Sequence, residues 1–282
     1  MTLTRRVFLA GAAALGGAAA WAKAQAAEAG KAAPRIRLSS CNIGSLQNAK
    51  AAGLDGMEVA AGGAAEKLSI ADPATRQKYK DQMKETGLAV SSVMMSVFNS
   101  NPLASDPNGP AWLEQTIEGA RDLGAQVILV AFFGKGSLKE GDGVKKADAD
   151  VVVERLKAAA PKAAGAGVVL GIENTLTAQQ NMEILQRIGH PSVKIYYDIY
   201  NLAGQGYDTP AEIRLLRDKC AIFHFKNGPD YLETGKVKWE PNVAAINEIG
   251  YRGWIVLESS APSKDRVADD RRNAAYVRKL FA

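Results

Sequence analysis

Apolar positions along the chain fall into short continuous runs, separated by longer stretches in which apolar residues recur at helical spacing. The runs predict strands over residues 36–40, 56–60, 88–95, 127–132, 168–172, 193–197, 221–225 and 254–257. The stretches between them predict helices over 46–52, 73–86, 111–123, 147–164, 178–188, 210–217, 243–249 and 267–281. Asp72-Pro73 opens the second helix as N-cap and first helical residue, and Gly87 closes it. Unbroken apolar strands are expected where both faces are buried in a parallel sheet. Eight strand–helix pairs in about 250 residues predict an α/β fold, a single closed (β/α)8 TIM barrel rather than an open doubly wound sheet. No Gly-x-Gly-x-x-Gly follows the first strand, which argues against a dinucleotide-binding fold. The Gly- and Lys-rich stretch 134–143 reads as an irregular loop.

The first residues stand outside this pattern. Thr4-Arg5-Arg6-Val7-Phe8-Leu9 precedes an Ala/Gly-rich run, and small-x-small cleavage sites end at Ala24 and Ala26. Paired arginines followed by x-Phe-Leu resemble a twin-arginine export signal. The apolar run is shorter than the ~20 residues that span a bilayer, which ranks a membrane anchor second. The expected organisation is a cleaved signal over 1–26, a disordered linker over 27–34 and a catalytic barrel over 35–282. Recognition by the twin-arginine translocation machinery and delivery to the periplasm follow from that assignment.

Composition changes this picture little. The 282 residues are 47% hydrophobic and 23% charged, ordinary for a soluble protein. Of the formal +5 charge, three units sit on Arg5, Arg6 and Lys23, so the mature chain is near +2 and carries no nucleic-acid signature. Cys41 and Cys220 are expected at opposite ends of the barrel, too far apart to bridge, as ordinary buried thiols.

The chemistry is concentrated at strand ends. Glu173 closes Val-Val-Leu-Gly-Ile-Glu, Asp198 closes Val-Lys-Ile-Tyr-Tyr-Asp, His224 closes Cys-Ala-Ile-Phe-His and Glu258 closes Trp-Ile-Val-Leu-Glu. Their spacings of 25, 26 and 34 residues each approximate one strand–helix unit. Four consecutive parallel strands would therefore present three carboxylates and an imidazole at the catalytic end of a barrel. Singly, each residue also fits a cap, an ion pair or a core histidine. Together they form a ligand set for one divalent ion of the Mn, Mg, Co or Zn kind. Such an ion on adjacent carbonyl and hydroxyl oxygens of a sugar would acidify the C–H between them, and Glu173 and Glu258 would remove and return the proton. Glu58, at the end of strand 2, is a candidate substrate contact or neighbour of a ligand. Lys226 is a candidate for an anionic or enolate oxygen, or for an ion pair with Glu258. Phe98, Phe132, Phe133, Tyr200, Tyr207 and Trp239 are candidates for stacking on sugar.

Several segments carry a family resemblance: Gly53-Leu-Asp-Gly-Met-Glu58, Gly171-Ile-Glu173-Asn, Tyr197-Asp198, His224-Phe-Lys226-Asn227 and Gly250-Tyr-Arg-Gly-Trp-Ile-Val-Leu-Glu258. Over about residues 36–282 the chain resembles the xylose-isomerase-like barrels, in particular the sugar phosphate isomerase/epimerase group. The resemblance implies one metal held by Glu173, Asp198, His224 and Glu258, with the two glutamates as the acid/base pair. The chain departs from the group at Asn201, where a substrate-contacting histidine is usual, and at Asn227 and Gln179, where acids are usual. Asn201 can still bond a hydroxyl. With only His190 and His224, the chain lacks the ligands of the trinuclear zinc endonucleases and of two-metal xylose isomerase. His190 is expected in a turn on the opposite face.

The expected function is metal-dependent sugar isomerisation or epimerisation through an enediolate. One alternative is a 3-keto-glycoside lyase or hydratase using the same chemistry. Another is a non-catalytic periplasmic sugar-binding barrel. Export is checked by N-terminal sequencing of the protein from periplasmic fractions, where the mature chain should begin after Ala24 or Ala26. An intact N-terminus on a cytoplasmic protein would remove the export assignment.

Overall fold

The structure is a computed structural model that describes residues 36–282. The expected signal over 1–26 and linker over 27–34 lie outside the described residues. Eight parallel strands, β1 (Arg37–Ser40), β2 (Gly56–Ala60), β3 (Ala89–Met95), β4 (Val127–Ala131), β5 (Val169–Glu173), β6 (Val193–Asp198), β7 (Cys220–Phe225) and β8 (Trp254–Leu257), pair in sequence order. The pairing of β1 with β8 closes the sheet. The fold is the expected single (β/α)8 barrel.

The helices are α1 (Leu46–Ala51), α2 (Pro73–Thr86), α3 (Gly109–Leu123), α4 (Lys146–Gly165), α5 (Ala178–Ile188), α6 (Ile199–Gly204), α7 (Thr209–Leu216), α8 (Trp239–Glu248) and α9 (Arg266–Leu280). Local chemistry sets their ends. Asp72 caps α2 through the Ala74 N–H, and Gly87 ends it in the left-handed conformation at φ 74°. Thr177 and Gln180 form a reciprocal capping box on α5. Among the described residues, no helix is long and apolar enough to cross a membrane.

Three local features depart from the sequence reading. Residues 134–143 are not wholly irregular, since Lys139–Glu140 and Gly143–Val144 pair as a small antiparallel hairpin. Helix α6 starts directly after Asp198, whose carboxylate caps it. Helix α8 begins at Trp239 rather than 243, because Trp239 is buried, stacks on Phe225 at 4.3 Å between centroids and donates its indole N–H to Leu232 O. Pro241 is tolerated there because it lies in the first turn.

Two apolar clusters hold the barrel. The larger lies between strands and helices. The smaller fills the barrel interior with Val127, Leu129, Ala131, Tyr196, Ile222, Trp254 and Val256. Side chains alternate across each strand, so these residues identify which positions point inward. Gly56 lies at the floor of this interior, where a Cβ would come within 2.4 Å of Ala89 O and 2.8 Å of the Trp254 ring. Gly56→Ala is expected to cost roughly 1–3 kcal/mol through overpacking. A lowered urea midpoint at unchanged m-value would report it.

Candidate metal centre

The four strand-end residues converge because parity and strand length agree. Asp198 lies two residues beyond the inward Tyr196, His224 two beyond Ile222, and Glu258 two beyond Val256. Register places Asp198 opposite His224 and Glu173 opposite Ala131. The Glu258 N–H donates to Phe225 O, which extends the ladder one residue past β8. Asp198 has a second task, accepting the Asn201 N–H at 2.7 Å through Oδ1.

One ligand atom from each of Glu173, Asp198, His224 and Glu258 lies within 4.8 Å of all the others. His224 Nδ1 is the shared neighbour, at 3.1 Å from Glu173 Oε1, 3.4 Å from Glu258 Oε2 and 3.8 Å from Asp198 Oδ2. The Lys226 ammonium lies above, 2.6 Å from Glu258 Oε2 and 2.9 Å from Asp198 Oδ2. Glu173, Asp198 and His224 are buried, while the Glu258 side chain is 30% exposed.

Burial pushes Glu173 up to about 7, against the opposing pull of His224. Burial likewise raises Asp198, only partly offset by Lys226 and His224. Burial also acts to raise Glu258, but the charges of His224 and Lys226 outweigh it and hold the group below the usual range. For His224, burial acts to lower the imidazole, and the carboxylates of Glu173 and Glu58 win and hold it well above its ordinary value. Positive charge is therefore favoured at the centre of this group.

The donor set fits a divalent ion. It offers three carboxylates and one imidazole in a mostly buried cluster. Asp198 Oδ2 is buried and receives no hydrogen bond, although the Lys226 ammonium is close as an ion partner. A buried carboxylate oxygen with no hydrogen bond is costly unless something else neutralises it.

The remaining candidates divide. Lys226 forms the anticipated ion pair with Glu258 and adds Asp198. Asn201 is half-buried in the first turn of α6, beside Asp198. Glu58 does not face the cleft as a substrate contact would. It is 2% exposed beneath His224, and its oxygens are taken up by Ser92, Tyr196 and His224. Of the aromatics, Phe98, Phe132 and Trp239 are buried in the core, which leaves Phe133, Tyr200 and Tyr207 partly open. Asn227 is not in the cleft either. Its amide donates to Leu232 O and accepts the Val237 N–H, pinning the loop after β7. Gln179 is exposed on α5 and bonds Glu183. The Asn174 side chain donates to Asn181 Oδ1 and accepts the Leu176 N–H. His190 is a turn residue, accepting the Ser192 N–H. Both cysteines are free; Cys220 is buried, while Cys41 is half-buried near Glu58 and His224, with its thiol pushed up by burial and by the neighbouring carboxylates. Ser92 and Tyr196 were missed by the sequence reading. A serine inside the apolar run of β3, and a tyrosine two residues before Asp198, were the available signals.

Binding of an ion to this cluster would stabilise the folded chain by mass action. Mn2+ or Co2+ at a hundred times its Kd should add about 2.7 kcal/mol, or on the order of 5–10 °C in Tm for a chain of this size. A chelator should reverse the gain, and Asp198→Asn should remove most of it. Scanning calorimetry with and without metal measures both.

Among known proteins, an Escherichia coli K12 protein named as a candidate L-ribulose-5-phosphate 3-epimerase is 29% identical over 191 residues. That match is 64% of this chain and 65% of the relative, so the chain spans just under two thirds of that relative's length. An L-ribulose-5-phosphate 3-epimerase of Escherichia coli O157:H7 is 24% identical over 265 residues, 86% of this chain and 90% of its own length. Among solved structures, apo 3-keto-D-glucoside 4-epimerase from E. coli superposes with a TM-score of 0.73 at 17% identity, covering 87% of this chain and 100% of its own. A structure of L-ribulose 3-epimerase superposes at 0.70 with 20% identity, covering 87% of this chain and 94% of its own. At such identities the structural likeness speaks for the fold alone. The family profile described as xylose isomerase-like TIM barrel matches residues 46–280. With strands, register and matched length in agreement, this chain belongs to the xylose isomerase-like TIM barrel family.

Proposed function

We propose that the protein is a carbohydrate epimerase or isomerase that removes a proton from the carbon beside a carbonyl and returns one, with a single divalent ion held by Glu173, Asp198, His224 and Glu258. The convergence of these four side chains carries the reading. The ion, when bound, supplies Lewis acidity that makes the C–H acidic and steadies the developing negative charge. The rest belongs to the chain. Glu173 comes from β5 and Glu258 from the end of β8, with β6 and β7 between them, and in this reading their carboxylates address a sugar from different sides. Removal by one and delivery by the other inverts a centre, whereas delivery to the neighbouring carbon isomerises. Lys226 restrains the Glu258 carboxylate at 2.6 Å. His224 is 1% exposed, which leaves it to hold the ion rather than touch sugar. Asn201 offers a neutral amide to a hydroxyl, and Phe133, Tyr200 and Tyr207 offer apolar faces to sugar C–H groups.

The relatives named as ribulose-phosphate 3-epimerases support the sugar class. A second reading keeps the chemistry but ends by expelling the aglycone of a 3-keto-glycoside. Asn201 favours it, since an amide cannot relay a proton to the sugar and so points to an altered substrate. Export through the twin-arginine pathway is part of the same proposal, because free sugar phosphates are scarce outside the cytoplasm. A purely binding barrel would have no need of a base on two sides.

The test is incubation of metal-loaded protein in deuterated water with free ketoses and with a 3-keto-glycoside. Deuterium in recovered sugar is the expected result, and aglycone release would favour the lyase. If a broad panel gave neither deuterium incorporation nor aglycone release, the enzymatic reading would be overturned. Glu173→Gln and Glu258→Gln should each lower turnover by roughly 10²–10⁴-fold.

A further inference from the structure

The two ring nitrogens of His224 keep different company. Nδ1 faces the ligand oxygens of Glu173, Glu258 and Asp198 at 3.1, 3.4 and 3.8 Å. Nε2 points the other way, down into the barrel, 3.3 Å from Glu58 Oε1. The second oxygen of Glu58, Oε2, accepts from Ser92 Oγ at 2.6 Å and from the Tyr196 hydroxyl at 2.8 Å. The Tyr196 ring also packs on the imidazole, with centroids 4.5 Å apart. Four strands thus contribute: β2 supplies the carboxylate, β3 and β6 the two hydroxyls that hold it, and β7 the histidine.

This arrangement is not one that packing alone would retain. Glu58, Ser92, Tyr196 and His224 are each at most 2% exposed. A carboxylate so deep costs several kcal/mol unless it is compensated. The two hydroxyls engage only one of its oxygens, which leaves the other aimed at Nε2. Cys41 also lies near Glu58 and His224, but a thiol is a weak acceptor.

We propose that Glu58, locked by Ser92 and Tyr196, is the positioning residue for His224: it accepts the Nε2 hydrogen, fixes the rotation of the ring and directs Nδ1 at the metal position. The inference rests on the metal-centre reading above and assigns Glu58 a task beneath the site rather than a contact with substrate. A ligand histidine whose second nitrogen donates to a carboxylate is held in one tautomer and is more basic, and loss of that partner weakens metal binding about 10–100-fold.

The experiment is titration calorimetry of chelator-stripped protein with Co2+, together with proton–nitrogen NMR of the zinc-loaded protein. Glu58→Gln keeps the volume but sets an amide N–H2 either against His224 or against the Ser92 and Tyr196 hydroxyls. Its Co2+ Kd should rise about 10–100-fold with all four ligands intact. The Nε2 proton of His224 is expected far downfield in wild type and should move upfield in the variant. Should Glu58→Gln fail to fold, Tyr196→Phe and Ser92→Ala carry the test with smaller losses of affinity in the same direction. A folded Glu58→Gln protein, or both milder variants, with a Co2+ Kd within twofold of wild type would overturn the inference while leaving the metal centre standing. A merely structural role would lower the Tm of the metal-free form without moving the Kd, and that result also overturns it. Failure of the wild type to take up any divalent ion would overturn the metal centre and this inference together.

Discussion

Three carboxylates with ligand atoms held within 4.8 Å of one another, two of them out of water, repel unless positive charge lies among them. Two unit charges 4 Å apart interact by about 4 kcal/mol even at an effective dielectric near 20. His224 stands among the three carboxylates, and Lys226 bridges Asp198 and Glu258. The opposed shifts of the group follow: the imidazole is held above its ordinary value, Glu173 rises and Glu258 falls. A divalent ion at the centre would take over the neutralising task, which is why the same cluster serves as a metal site.

The barrel exists, for this purpose, as a rigid mount. Each ligand is carried on or one residue beyond a strand paired on both sides, so its backbone cannot drift. The loops that follow are pinned separately. Asn227 holds the chain after β7 through Leu232 and Val237. After β8, Asp270 accepts from Ser259 Oγ at 2.9 Å, and Arg266 donates to the Ser259 carbonyl. These bonds clamp the residue next to Glu258 from α9.

Legibility in the sequence followed depth and parity. Glu173, Asp198, His224 and Glu258 could be read because each ends an apolar run at a strand–helix interval, and strand period decides which side of a strand a residue takes. The same rule put Glu58 inside the barrel but not at what height, and height separates a substrate contact from a buried support. Asn227 and Gln179 stand where the resembled group usually has acids, yet one turns into its own loop and the other lies on an exposed helix face. Phe98, Phe132 and Trp239 share their apolar character with Phe133 and Tyr200. Only packing against neighbouring helices and loops decides which aromatics are covered.

What the sequence determined by itself is the alternation of elements, the barrel and the four residues at its catalytic end, because these depend on local periodicity and on spacings set by one strand–helix unit. What only the tertiary structure decided is who meets whom across strands. Ser92 and Tyr196 meet Glu58 34 and 138 residues away in the chain, and Glu58 meets His224 across 166. Such contacts arise from the tilt and closure of the sheet, which bring distant strands to a common depth, and no local pattern of residues encodes that depth.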